Sequence, residues 1–88
     1  MILKDKVVLI TGSGNGIGAA ITEAMAEAGA TIVAADIDVE AARRSADKAA
    51  SYQVRALPVQ VDVRDVASIN TMIEKTVAEF GRLDVIVN

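Results

Sequence analysis

Apolar residues along this chain alternate between two rhythms: short unbroken runs, and longer stretches in which they recur every three or four positions. The first unbroken run, Val7-Val8-Leu9-Ile10, reads as a strand buried on both faces of a parallel sheet. Residues 16–28 follow a helical period, with Ile17, Ile21, Ala24, Met25 and Ala28 on one face and Glu23 and Glu27 on another; Gly29 is placed to end that helix. Residues 31–35 form a second apolar strand, closed by Asp36. Asp38 suits the N-cap of a helix running to about Ser51, with a thin stripe of Ala42, Ala46, Ala49 and Ala50. Residues 54–61 read as a third strand, which Pro58 assigns to a sheet edge because proline cannot donate to a ladder, and Asp62 ends it. Asp65 caps a third helix with Ile69, Met72, Ile73, Val77 and Phe80 on one face; Gly81 stops it, and a fourth strand runs from Leu83 to Val87. The order is βαβαβαβ with short connections. Right-handed crossovers make this an α/β domain over residues 1–88, a parallel sheet of order 3-2-1-4 with helices on both faces.

Between the first strand and the first helix lies Thr11-Gly12-Ser13-Gly14-Asn15-Gly16-Ile17-Gly18. Strand, glycine loop and helix start, in that order, are what a dinucleotide-binding turn requires, and the pattern is that of a Rossmann-like half-domain. A diphosphate sits at a helix N-terminus only where backbone N–H groups reach it without a Cβ in the way. Gly12 permits the tight turn off the strand, Gly16 lets the backbone approach the pyrophosphate, and Gly18 lets the helix pack closely on the strand. Ser13, Asn15 and Ile17 complete the candidate cradle. Glycine-rich turns are common. The flanks of this one, and an acidic residue downstream, weight the binding reading above a plain turn.

Charge and composition then narrow the classes. The net charge of −3 over 88 residues argues against nucleic acid as a main partner, and the pair Arg43–Arg44 reads as a solvated helix face. There is no Cys and no His, which excludes a disulfide framework and a thiolate metal site and removes the commonest general base and metal ligand. No apolar stretch approaches the length of a membrane span, and the N-terminal charges come without a cleavage site, so a cytoplasmic protein without membrane contact is expected.

The loop Thr11–Gly18 resembles the TGxxxGxG loop of short-chain dehydrogenases/reductases. Asp62-Val63 resembles that family's Asp-Val pair after the third strand, and Leu83-Asp84-Val85-Ile86-Val87-Asn88 resembles the run into its NNAG motif. The resemblance covers the whole chain. It implies that the catalytic Asn, Ser, Tyr and Lys lie past residue 88, so only cofactor-binding positions carry over: Tyr52 is the only tyrosine, and Ala56 stands where a Tyr-x-x-x-Lys lysine would be. It also implies NAD rather than NADP, from the acidic residue closing the second strand. The physics agrees, since a carboxylate accepts hydrogen bonds from ribose hydroxyls and repels a 2′-phosphate. Asp36 follows Gly12 by 24 positions, near the usual spacing of about 20, and neither Ser13 nor Asn15 is a cation that would welcome that phosphate. A capping or turn role competes for Asp36, but Asp38 is better placed to cap; Ile37 joins Asp36 in the candidate site. By the same resemblance Asp62 and Val63 line an adenine pocket, against a plain strand-ending role for Asp62, and Asn88 lies near the cofactor.

Three functional readings stay open. The leading one is an NAD(H)-binding half-domain of an oxidoreductase that interconverts alcohols and carbonyls. The second is a working enzyme whose cleft is built by two copies, with Tyr52, a carboxylate or water as proton donor. The third is a structural or assembly fragment without catalysis. A methyltransferase, which also uses a glycine loop and an acid after the second strand, fits the gap between Gly12 and Gly16 less well. The apolar strand Leu83 to Val87 lies at a sheet edge with only Arg82 and Asp84 as flanking charges, so a homo-oligomer through that edge is expected.

Overall fold

The computed structural model describes residues 2–88. Seven elements alternate: β1 (Val7–Ile10), α1 (Gly16–Glu27), β2 (Thr31–Asp36), α2 (Val39–Ala50), β3 (Ala56–Gln60), α3 (Val66–Phe80) and β4 (Val85–Val87). The strands form one parallel sheet in the order β3-β2-β1-β4, with Val8 in register with Ile32 on one side and Val85 on the other. The pleat sends alternate residues to opposite faces. Val8, Ile10, Ile32 and Ala34 pack with Ala26 of α1 and Ala46 and Ala49 of α2. Val7, Leu9, Val33, Ala35 and Val59 pack with Met72 of α3. Both faces of β1 and β2 are therefore covered, which is why their sequences are continuously apolar rather than alternating. Each fully buried Leu or Ile here, such as Leu9 and Ile32, contributes about 1.5–3 kcal/mol.

Element boundaries differ from the sequence reading by a few residues. Gln53 takes a left-handed φ of 68° in the turn after α2, so β3 begins at Ala56, not at residue 54. Pro58 pairs with Ala34 on this edge strand, as expected of a residue that lacks a donor. β4 is only Val85–Val87; before it, Asp84 already donates its N–H to the Val7 carbonyl.

Helix faces differ more. On α1 the buried residues are Thr22 and Ala26, with Ile21 and Met25 partly buried, whereas Ile17 is 81% exposed and Ala24 is exposed. Small residues at 22 and 26 bring α1 close to the sheet, and Thr22 is buried at little cost because its hydroxyl donates to the Gly18 carbonyl at 2.8 Å. Thr76 of α3 does the same toward Met72, at 2.9 Å. On α2 the stripe is Ala41, Ala42, Ala46 and Ala49, and Ala50 faces water. On α3, Val77 is 45% exposed, while Ile69 and Phe80 pack at the rim of the core.

Candidate functional site

From β1 the chain crosses to one side of the sheet to form β2, and after α3 it returns on the other side of β1 as β4. The loop leaving β1 lies at the C-terminal end of the sheet beside the end of β4, between the two strands where the strand order reverses, the kind of switch point where ligands bind in open parallel sheets. The glycine loop lies there, tied to both neighbours. Thr11 donates its N–H to Val87 O (3.0 Å), Ser13 N–H to Ala35 O (3.0 Å), and Gly14 N–H to Asp36 Oδ2 (3.0 Å).

The glycines divide into two kinds. Gly12 (φ 62°) and Gly16 (φ 53°) have left-handed backbones, and an added Cβ at either would meet nothing within 4 Å, so they turn the chain and face open space. Gly18 and Gly14 are close-contact positions. A Cβ on Gly18 would lie 2.0 Å from the Gly12 carbonyl oxygen, and one on Gly14 would lie 2.3 Å from Ala41 Cβ. Gly18 thus lets α1 pack on the loop itself rather than on the strand. The seating of Gly14 against α2 was missed in the sequence, because only tertiary structure brings Ala41 there.

At the start of α1, Asn15 occupies the N-cap position with extended φ and ψ, but its side chain makes no capping hydrogen bond, and the first turn holds no acidic residue. The N–H groups of Gly16, Ile17 and Gly18 have no partner among the described residues. Three free donors at the positive end of a helix dipole form a cradle for an anion. Ser13 points the other way: it is fully buried, and its Oγ has no hydrogen-bond partner among the described residues.

Asp36 is 7% exposed and holds the backbone on both sides of it, accepting from Gly14 N–H through Oδ2 and from Asp38 N–H through Oδ1, each at 3.0 Å. A turn role and a ligand role coexist, since each oxygen keeps further acceptor capacity. Asp38 caps α2, accepting from Glu40 N–H (3.0 Å) and Ala41 N–H (3.2 Å). Asp36 lines a cavity of about 180 Å³ together with Gly12, Ile37, Asp62, Val63 and Arg64. Ile37 and Val63 are each 56% exposed, two bare apolar side chains at this otherwise polar rim. Asp62 is clasped by Arg64, whose Nε and Nη2 each donate at 3.0 Å, and the hydrogen bonds from this guanidinium hold the Asp62 carboxyl below the usual carboxylate range. Arg64 is the residue that the sequence reading overlooked. Its only signal was an Asp-x-Arg spacing at a strand end.

A second, apolar concavity of about 450 Å³ opens on the other side of β1, lined by Thr11, Ile69, Ile73, Ile86 and Asn88 among others. Asn88 is anchored there, its Oδ1 accepting from Thr11 Oγ1 at 3.1 Å. Asp84 lies at the opposite edge of the sheet, where it accepts from Val7 N–H (2.8 Å) and from Arg82 (2.9 and 2.7 Å). Tyr52, one of the proton donors considered above, follows α2 toward the edge where the strands begin. Its hydroxyl donates to Glu23, and this hydrogen bond raises the phenol above its ordinary value, the reverse of activation. Among the described residues, no group of three or more acidic, His or Cys side chains could hold a metal ion, and no helix is long and apolar enough to cross a membrane.

The family model described as short chain dehydrogenase matches residues 6–88. The chain belongs to the short-chain dehydrogenase family. It is 41% identical over 88 residues to galactitol 2-dehydrogenase from Agrobacterium fabrum, covering 100% of this chain and 33% of that protein. It is 41% identical over 86 residues to D-threitol dehydrogenase from Mycolicibacterium smegmatis, covering 98% of this chain and 33% of that protein. The crystal structure of hydroxysteroid dehydrogenase from Escherichia coli superposes with a TM-score of 0.94 at 30% identity, over 98% of this chain and 37% of that one. The chain spans about a third of the length of these short-chain dehydrogenase relatives. The superposition on that crystal structure shows that this span has the short-chain dehydrogenase fold, here a parallel, Rossmann-like sheet of order 3-2-1-4.

Proposed function

We propose that residues 1–88 are the NAD(H)-binding half-domain of a short-chain dehydrogenase-type oxidoreductase, whose reaction is NAD-dependent interconversion of an alcohol and a carbonyl compound. The observation that carries this reading is the uncapped start of α1, with the N–H groups of Gly16, Ile17 and Gly18 free beside the two open, left-handed glycines. The residues fit a dinucleotide. Gly12 and Gly16 leave room for a pyrophosphate against the main chain, Asp36 retains acceptor capacity for ribose hydroxyls, and Ile37 and Val63 offer apolar contact to an adenine ring. Asn88, fixed by Thr11, lines the concavity on the nicotinamide side of this arrangement. When bound, the nicotinamide supplies hydride chemistry, while the chain supplies binding and orientation. The names of the polyol dehydrogenases among its relatives support an alcohol as the substrate class. A cytoplasmic location belongs to the same reading.

The preference for NAD rests on Asp36, a nearly buried carboxylate that a 2′-phosphate would have to approach. Titration with NADH and NADPH tests it. NADH is expected to bind more tightly, and Gly16→Val, which forces a β-branched residue into a left-handed backbone, is expected to abolish binding. Equal or tighter NADPH binding would overturn the preference. Absence of saturable binding of either dinucleotide at millimolar concentration would leave a structural or assembly role, the reading favoured by the exposed β4 edge.

A further inference from the structure

The cavity beside Asp36 contains a cation that is already engaged. Arg64 is the only basic side chain lining it among the described residues. Its guanidinium forks onto Asp62, Nε to Oδ1 and Nη2 to Oδ2, each at 3.0 Å, and the Arg64 main-chain N–H also donates to Oδ1 at 3.0 Å. Among the described residues the Asp62 carboxylate holds the loop in no other way; its backbone N–H donates to Ser68 Oγ at 2.9 Å. The cavity thus carries Asp36, Asp62 and Arg64, one net negative charge.

The geometry points to the Asp62–Arg64 pair as a second determinant of cofactor choice: Asp62 neutralises and holds aside the one cation in the adenosine-side cavity, and freeing Arg64 turns that cavity toward a ribose 2′-phosphate. This inference rests on the dinucleotide reading above. Arginine is suited to the exchange, because the planar fork that grips a carboxylate grips a phosphate equally well. Exposed ion pairs are weak, and Arg64 is 79% exposed, so a phosphate is able to draw it away. The exchange nevertheless brings the phosphate no net charge, because the uncovered Asp62 carboxylate is left in the same cavity beside Asp36. With Asp62 neutral, Arg64 offsets Asp36 and no second carboxylate is exposed. Asp36 therefore does not set the preference alone. The pair at residues 62 and 64 determines whether the charge opposing a 2′-phosphate is offset.

The test measures the ratio of NADPH to NADH affinity by titration of the 88-residue chain, with nicotinamide fluorescence as the readout. Asp62→Asn retains an acceptor for the Arg64 main-chain N–H and so keeps the turn. It is expected to shift the ratio toward NADPH about fivefold or more, the scale of one unit charge at short range beside water. The double variant Asp62→Asn/Arg64→Gln is expected to lose that shift. Arg64→Glu, with Asp62 intact, is expected to move the ratio the other way, which keeps the inference testable if Asp62→Asn does not fold. A shift that persists in the double variant would overturn the role of Arg64. An unchanged ratio in Asp62→Asn or in Arg64→Glu would overturn the inference while leaving NADH binding by the parent chain, and with it the dinucleotide reading, intact. Failure of the parent chain to bind either dinucleotide would instead remove the reading beneath it.

Discussion

Asp36 shows how one side chain serves the fold and the candidate site together. It accepts from the N–H groups of Gly14 and Asp38, and so ties the glycine loop to the start of α2. Its replacement by Ala would leave two donors unpaired in a nearly closed position, at a cost of about 1–3 kcal/mol. Asp36→Ala is therefore expected to lower the urea midpoint as well as the NADH affinity. Asp36→Asn, which can still accept a hydrogen bond, should lose preference for NADH over NADPH with less damage to stability. A common loss of stability and binding in both variants would mean that the charge is not what selects the cofactor. Gly18 is a sharper case. Even one methyl group would lie 2.0 Å from the Gly12 carbonyl oxygen, and neither backbone has slack to yield. Gly18→Ala is expected to cost about 1–3 kcal/mol in denaturant unfolding and to weaken dinucleotide binding by displacing the start of α1. A variant of parental stability would show that the loop relaxes freely.

Single side chains also hold elements together. Asp38 caps α2 through two backbone N–H groups, and Asp38→Ala is expected to cost about 1 kcal/mol in thermal or urea unfolding. Asp84 joins the entrances of β1 and β4. The Arg82 guanidinium, and then the Val7 N–H, hold its carboxyl below the usual range. The sign follows from linkage. A carboxylate depressed in the folded state contributes stability above its unfolded pKa, near 4, and loses that contribution as pH falls through the lower folded value. Asp62 and Glu23 are depressed in the same direction, by Arg64 and by the Tyr52 hydroxyl respectively. Stability should therefore fall below about pH 4, and Asp84→Asn should be less stable at neutral pH with a shallower loss in acid. Equal acid slopes for the parent and Asp84→Asn would show that the clamp between β1 and β4 is energetically idle.

At the scale of the whole molecule, the sheet has one protected edge and one bare edge. β3 carries Pro58 and is backed by α2. β4 is three residues long, with Val85 40% and Ile86 48% exposed, and Val77 of α3 adds an exposed apolar side chain. An unpaired apolar strand is a template for another strand. We propose a two-fold antiparallel pairing of β4 with β4 in a second copy, which would place Ile86 opposite its own counterpart and extend the sheet to eight strands, twice the four seen here. Light scattering at micromolar concentration should show a dimer, and Ile86→Lys should return it to a monomer. A parent chain that is monomeric at that concentration would overturn the proposal, and a dimer indifferent to Ile86→Lys would place the interface elsewhere.

Much of this protein was decided locally. The unbroken apolar run Val7 to Ile10, the caps at Asp38 and Asp65, and the glycine loop before α1 each rest on near-neighbour physics: burial on both faces of a strand, pairing of orphan N–H groups, and space for a backbone turn. Alternation of such elements with short connections leaves few topologies, so the sheet order was legible as well. The face of α1 was not legible, because one of its two buried residues, Thr22, is polar and satisfies its hydroxyl within its own helix, while the apolar Ile17 stands in water. Nor were the seating of Gly14 on Ala41, the inward turn of Ser13, or the two hydrogen bonds that occupy Asp36. Each depends on a contact with another segment, or on how close two elements come. Sequence periodicity records which residues avoid water, and only the packed tertiary structure decides which groups meet.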